Sequence, residues 1–158
     1  MSGPVLFVCT GNTCRSPLAE AMARQLAAER HLNVIFASAG TSAWFGSPAS
    51  DGSMLVGLER KLDLSAHRSR PLTRELVAEA SLVLGMGAHH VAAATALGGA
   101  GKAFLLADFA TGKTTGRSVH DPFGDALDAY RQMADELDEL IPQVIRRLVD
   151  DAPHPAGA

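Results

Sequence analysis

Four short apolar runs, separated by stretches with helical spacing, constrain the fold of this chain more than any other feature. The runs are Val5-Leu6-Phe7-Val8, Val34-Ile35-Phe36-Ala37, Leu82-Val83-Leu84 and Phe104-Leu105-Leu106. Each is continuously apolar, as a strand covered on both faces of a parallel sheet is. Between them, Leu18, Met22 and Leu26 fall four apart, with Pro17 suited to a first helical position. Ser53 to Leu62, Thr73 to Ala80 and Ala88 to Leu97 read as further helices. A last helix begins after Asp125, its apolar stripe being Leu137, Leu140, Ile141, Val144, Ile145 and Leu148, with a kink or break expected at Pro142. Strands alternating with helices give right-handed crossovers on both faces of one sheet. The expectation is a three-layer α/β fold, doubly wound, with four parallel strands in the order 2-1-3-4. Its ligand crevice would open at the carboxyl end of the first strand, where the winding reverses.

The rest of the composition narrows the class. At 158 residues the chain is one domain's worth, read as residues 1–149 with a disordered tail at 150–158 that carries Pro153 and Pro155. Fourteen basic against 17 acidic residues leave a net charge of −3, with no basic block for nucleic acid and no face for anionic lipid. No apolar run approaches a membrane span, and the N-terminus lacks a secretory signal's charged and apolar regions. Two cysteines build no disulfide framework, which suits a reducing cytoplasm. A monomer or weak dimer is expected.

At the expected crevice the first strand runs into Cys9-Thr10-Gly11-Asn12-Thr13-Cys14-Arg15-Ser16-Pro17. A loop entering a helix N-terminus turns several N–H groups and the positive dipole end toward an anion. Gly11 and Asn12 tolerate the positive φ that such a cradle needs. Cys9 would sit on its floor, where amides, the helix end and Arg15 favour thiolate over thiol. Arg15 offers a planar fork for two phosphate oxygens, and the Ser16 hydroxyl could steady the sulfur as a leaving group. Thr10, Gly11, Asn12, Thr13 and Cys14 would surround the phosphate. The bland alternative is a buried cysteine in an ordinary strand-to-helix turn.

Asp121-Pro122-Phe123-Gly124 precedes the last helix. Alone it reads as a helix lead-in; beside the cysteine loop, Asp121 supplies the missing general acid. Trp44, Phe45 and Phe123 are candidate pocket walls. Ala107 to Thr114 ends in Gly-Lys-Thr but lacks the leading glycine of a nucleotide-binding loop, so a flexible basic loop is expected. The six histidines show no metal-ligand spacing, and His89 and His90 would diverge on a helix. Neither metal nor cofactor is implied.

These pieces resemble the low-molecular-weight protein phosphatases, and more closely their bacterial protein-arginine phosphatase branch, from Val5 to about Leu148. The loop from Cys9 to Pro17 is similar to the family's nucleophile loop, Ser38-Ala39-Gly40-Thr41 to its second loop, and Asp121-Pro122 to its acid loop. The resemblance implies that Asn12, Ser38 and His67 prop the nucleophile loop. Tyrosine-specific members usually carry Ile where Thr13 stands and a paired aromatic where this chain has Phe123-Gly124. Asp125, where the arginine branch often has a second glycine, is a departure. A reversible Cys9–Cys14 disulfide fits the spacing and the resemblance; Cys14 as a small buried apolar residue fits equally. The implied activity is removal of phosphate from phosphoarginine in proteins through a phosphocysteine. Phosphotyrosine hydrolysis is the nearest alternative. Arsenate reduction and a non-catalytic phosphate-binding module are the others.

Overall fold

The computed structural model describes residues 3–150. The expected tail lies outside them except for Asp150, which ends the last helix. Strand β1 (Val5–Cys9) lies between β2 (Phe36–Gly40) and β3 (Leu82–Gly85), with β4 (Ala103–Leu105) beyond β3. All pairings are parallel, and the order is 2-1-3-4 as expected. Side chains of β1 alternate between two cores. Val5, Phe7 and Cys9 join the one built with α1 (Arg15–Glu29), α5 (Leu106–Thr111) and α6 (Leu127–Asp150). Leu6 and Val8 join the other, under α3 (Arg74–Glu79) and α4 (Ala88–Ala94). Phe7 stacks on Phe36 at 5.9 Å between ring centroids. Because β1 is central and its neighbours are wound in opposite senses, the chain leaving Cys9 faces an open crevice.

Local chemistry explains the helix boundaries. Ser50 and Thr73 cap α2 (Asp51–Glu59) and α3, accepting the N–H groups of Ser53 and Leu76. Helix α2 stops short of Leu62 because Lys61 takes a positive φ of 61°. Helix α1 begins at Arg15, so Pro17 is its third residue; a first-turn N–H has no intrahelical partner for proline to remove.

Three expectations need correction. β2 starts two residues late, leaving Ile35 69% exposed outside the sheet. β4 is an edge strand with Phe104 exposed, and Leu106 opens α5 instead of ending the strand. Helix α6 runs unbroken through Pro142, its buried stripe from Tyr130 to Leu148 anchored on α1 and α5. Packing along that stripe outweighs the one helical hydrogen bond proline removes. No helix among the described residues is long and apolar enough to cross a membrane.

Candidate active site

The segment between β1 and α1 is organised by where its peptide groups point. The carbonyls of Cys9, Thr10, Asn12, Thr13 and Cys14 all accept protein hydrogen bonds. Their donors are the N–H groups of Thr41 and Ser42, the His67 ring, the N–H of Ser50 and the hydroxyl of Ser53. The N–H groups of Gly11, Asn12, Thr13 and Cys14 find no protein acceptor among the described residues. With its carbonyls turned outward and the N-terminus of α1 adjoining, the loop is a nest of amide donors. Asn12 supplies the left-handed residue at φ 55°; Gly11, expected to share that role, does not take a positive φ. A Cβ at Gly11 would meet the Thr13 hydroxyl at 3.5 Å, an ordinary contact, so neither backbone strain nor crowding requires glycine there.

Asn12 is the hub that holds this shape. It is fully buried, and its amide nitrogen donates to Ser16 Oγ at 2.8 Å and Ser38 Oγ at 3.0 Å. Its side-chain oxygen accepts the Arg70 N–H at 3.0 Å, and its carbonyl meets His67 Nε2 at 2.7 Å. Ser38 passes its own hydrogen to Glu20 at 2.6 Å. Asn12, Ser38 and His67 are thus joined by Glu20 and Arg70 in one hydrogen-bond network around the loop. Gly40 lets β2 approach: a Cβ there would overlap the Thr10 carbonyl oxygen and lie 2.9 Å from the Asn12 nitrogen.

Cys9 is buried at the end of β1, its sulfur 2.9 Å from Ser16 Oγ. Since Asn12 already donates to Ser16, the serine hydrogen is free for the sulfur. Arg15 is 4% exposed; its Nη1 donates to the Val119 carbonyl at 3.3 Å and its Nη2 lies 3.5 Å from an Asp121 carboxylate oxygen. Its buried Nε has no partner. A buried cation with an unspent donor is costly unless an anion completes its environment. Asp121 is half-exposed, and its other oxygen accepts the Phe123 N–H at 3.1 Å, which fixes the carboxylate over the loop. Cys14 is a free thiol, as is Cys9, with its sulfur 3.3 Å from Ser50 Oγ and 3.6 Å from the Tyr130 hydroxyl.

A cleft of about 360 Å³ gathers these groups: Cys9, Thr10, Gly11, Thr13, Cys14, Arg15 and Asp121 line it, with Trp44 and Phe123 at its mouth. Both aromatics are more than three-quarters exposed, so they form a rim and not a core. Phe45, read as a third wall, is exposed and outside the lining. The Gly-Lys-Thr segment is no phosphate loop: Asp108 accepts the N–H groups of Thr115 and Gly116 and the Thr115 hydroxyl, placing a carboxylate where a nucleotide loop holds phosphate. Nor do His89 and His90 diverge; their ring centroids are 3.8 Å apart, and His90 Nε2 lies 2.9 Å from Thr10 Oγ1.

Glu20, Arg70 and His90 escape sequence reading, since each reaches the loop through tertiary contact. For Glu20 a weak local signal exists, because it lies one helical turn beyond Ser16.

Known proteins are similar to this chain in sequence and backbone. The chain is 40% identical to the protein-arginine-phosphatase of Bacillus subtilis over 149 residues, 93% of this chain and 97% of that one. It is 30% identical to the low molecular weight protein-tyrosine-phosphatase Etp of Escherichia coli K12, covering 91% and 93% of the two chains. Its backbone matches a cysteine-to-serine mutant of the YwlE arginine phosphatase with a phosphorylated active-site serine. The TM-score there is 0.88 at 40% identity, over 94% of this chain and 97% of that one. The family model for low molecular weight phosphotyrosine protein phosphatases spans residues 4–153, and with the fold and the amide nest in agreement, this chain belongs to that family.

Proposed function

We propose that this enzyme removes phosphate from phosphoarginine residues of proteins, by way of a phosphocysteine on Cys9. The observation that carries the reading is the nest itself: four loop amides and an arginine nitrogen lack protein partners among the described residues, and Gly11, Thr13, Cys14 and Arg15 line one cleft with the buried Cys9 thiol. Such preorganised donors stabilise the equatorial oxygens of a transferring phosphoryl group. In the first step the Cys9 thiolate bonds to phosphorus as the P–N bond breaks. The bonding pair departs with the guanidine nitrogen, and Asp121 gives that nitrogen its proton. In the second step Asp121 takes a proton from water as the oxygen attacks phosphorus, and the S–P pair returns to sulfur, steadied by the Ser16 hydroxyl.

The arginine preference rests on Thr13 and on the relatives that carry the activity in their names. Thr13 lines the cleft, its hydroxyl 3.8 Å from Cys14 Sγ, and supplies a polar group where an Ile offers only an apolar wall. A polar contact that is lost discriminates more strongly than a change in apolar fit. Arsenate reduction is disfavoured, since its relay needs a cysteine beyond the two in the chain. Residues 1–149 serve as one catalytic domain, and the reducing cytoplasm is the proposed location.

The test compares initial rates on phosphoarginine and phosphotyrosine peptides. The parent enzyme prefers phosphoarginine, Thr13→Ile moves the ratio toward phosphotyrosine, and Cys9→Ser is inactive on both. A parent enzyme that prefers phosphotyrosine overturns the substrate assignment.

A further inference from the structure

His90 is fully buried in the first turn of α4 and has no part in the chemistry above. Its Nδ1 accepts the Gly87 N–H at 2.9 Å, so in the neutral ring the proton resides on Nε2, 2.9 Å from Thr10 Oγ1. Burial, with His89 and Arg15 adding to it against an opposing pull from Asp121, pushes the His90 pKa down to about 3. The ring is therefore neutral under ordinary conditions. It donates and cannot accept at Nε2, which makes the Thr10 oxygen the acceptor. The Thr10 hydroxyl hydrogen is left over. No protein acceptor takes it among the described residues, and Thr10 lines the cleft beside Cys9 and Arg15.

We infer that His90 is a positioning residue that turns the Thr10 hydroxyl into a hydrogen-bond donor for an oxygen of the bound phosphoryl group. The inference rests on the phosphatase reading of the cleft and adds one side-chain donor to the main-chain nest. The Gly87 N–H, the imidazole and the threonine hydroxyl form a chain with one direction, running from the β3–α4 turn into the nucleophile loop. Replacing His90 by Leu frees the hydroxyl to rotate; replacing it by Gln keeps an acceptor for Gly87 and a donor for Thr10.

The experiment measures kcat/KM on a phenyl phosphate and competitive inhibition by orthovanadate. The variants are Thr10→Val, His90→Leu, His90→Gln and the Thr10→Val/His90→Leu double, with Cys9→Ser alongside. A hydrogen bond to a charged oxygen corresponds to about tenfold or more. Thr10→Val and His90→Leu each lose about tenfold in kcat/KM and weaken vanadate inhibition by a similar factor. The double variant is no worse than Thr10→Val, because both changes remove one contact, and His90→Gln recovers most of the loss. Parent-like kcat/KM and vanadate inhibition in Thr10→Val overturn the inference, even if His90→Leu fails to fold. Independent, multiplying losses in the double variant also overturn it. If Cys9→Ser turns over the phenyl phosphate at the parent rate, the phosphocysteine on Cys9, and with it the catalytic reading of this cleft, is wrong. Inactive Cys9→Ser beside unaffected Thr10→Val rejects only the role of His90 and Thr10.

Discussion

The Ser16 hydroxyl lies 2.9 Å from the Cys9 sulfur, and its hydrogen is free because Asn12 donates to the same oxygen at 2.8 Å. Ser16→Ala removes the hydrogen bond that steadies the sulfur when it leaves phosphorus. The expected result is a kcat lowered by about tenfold, the worth of roughly one hydrogen bond to a charged atom, with KM falling in step because breakdown of the intermediate limits turnover. Rapid-quench detection of the phosphocysteine checks it, since slower breakdown makes the intermediate accumulate.

Asp121 stands 3.5 Å from Arg15 and is held over the loop by the Phe123 N–H. Asp121→Asn keeps that placement and removes the transferable proton. Turnover falls by about 10²–10⁴, the usual range for a general acid. Substrates with poorer leaving groups lose more, which a leaving-group series measures.

Gly40→Ala forces a methyl group against the Thr10 carbonyl and the Asn12 nitrogen. These are backbone atoms of the nucleophile loop, so the strain displaces the nest instead of a flexible side chain. Activity falls at least tenfold, and the unfolding free energy measured with urea drops in the same variant by about 1–3 kcal/mol, as at overpacked core sites.

Acid weakens the fold through His90. The unfolded chain binds a proton near pH 6.5, while the folded chain holds the ring neutral down to about 3. The unfolded state thus carries more protons between those values, and stability falls as pH drops from about 6.5 toward 3. His90→Gln has no such proton to bind, and its stability changes less over that interval. Urea denaturation at pH 7 and pH 4.5 measures both slopes; equal slopes in parent and variant would contradict the assignment.

The parts legible in the sequence were those whose chemistry is local. Cys9, Arg15 and Ser16 are within seven residues, and a strand leading into a helix N-terminus makes an anion cradle from backbone alone. The continuous apolar runs likewise revealed a sheet covered on both faces, and the strand order followed from how such chains wind. Exposure at the sheet's edge was not legible, because Phe104 looks as apolar in sequence as Phe7 does. Neither was the continuity of α6 through Pro142, which depends on the packing of its whole apolar stripe.

By itself, then, the sequence determined the loop that leads from the first strand into a helix N-terminus and the parallel α/β frame around it. Those features arise from bonding between near neighbours and from the period of apolar residues. Only the tertiary structure decided which distant groups hold the loop: Thr41, Ser42, Ser50, Ser53 and His67 on its carbonyls, Ser38 (itself bonded to Glu20) and Arg70 on the Asn12 side chain, and His90 on the Thr10 hydroxyl. Directional hydrogen bonds between residues as far as 80 positions apart leave no periodic trace in the chain, since their geometry exists only once the sheet has brought its loops together.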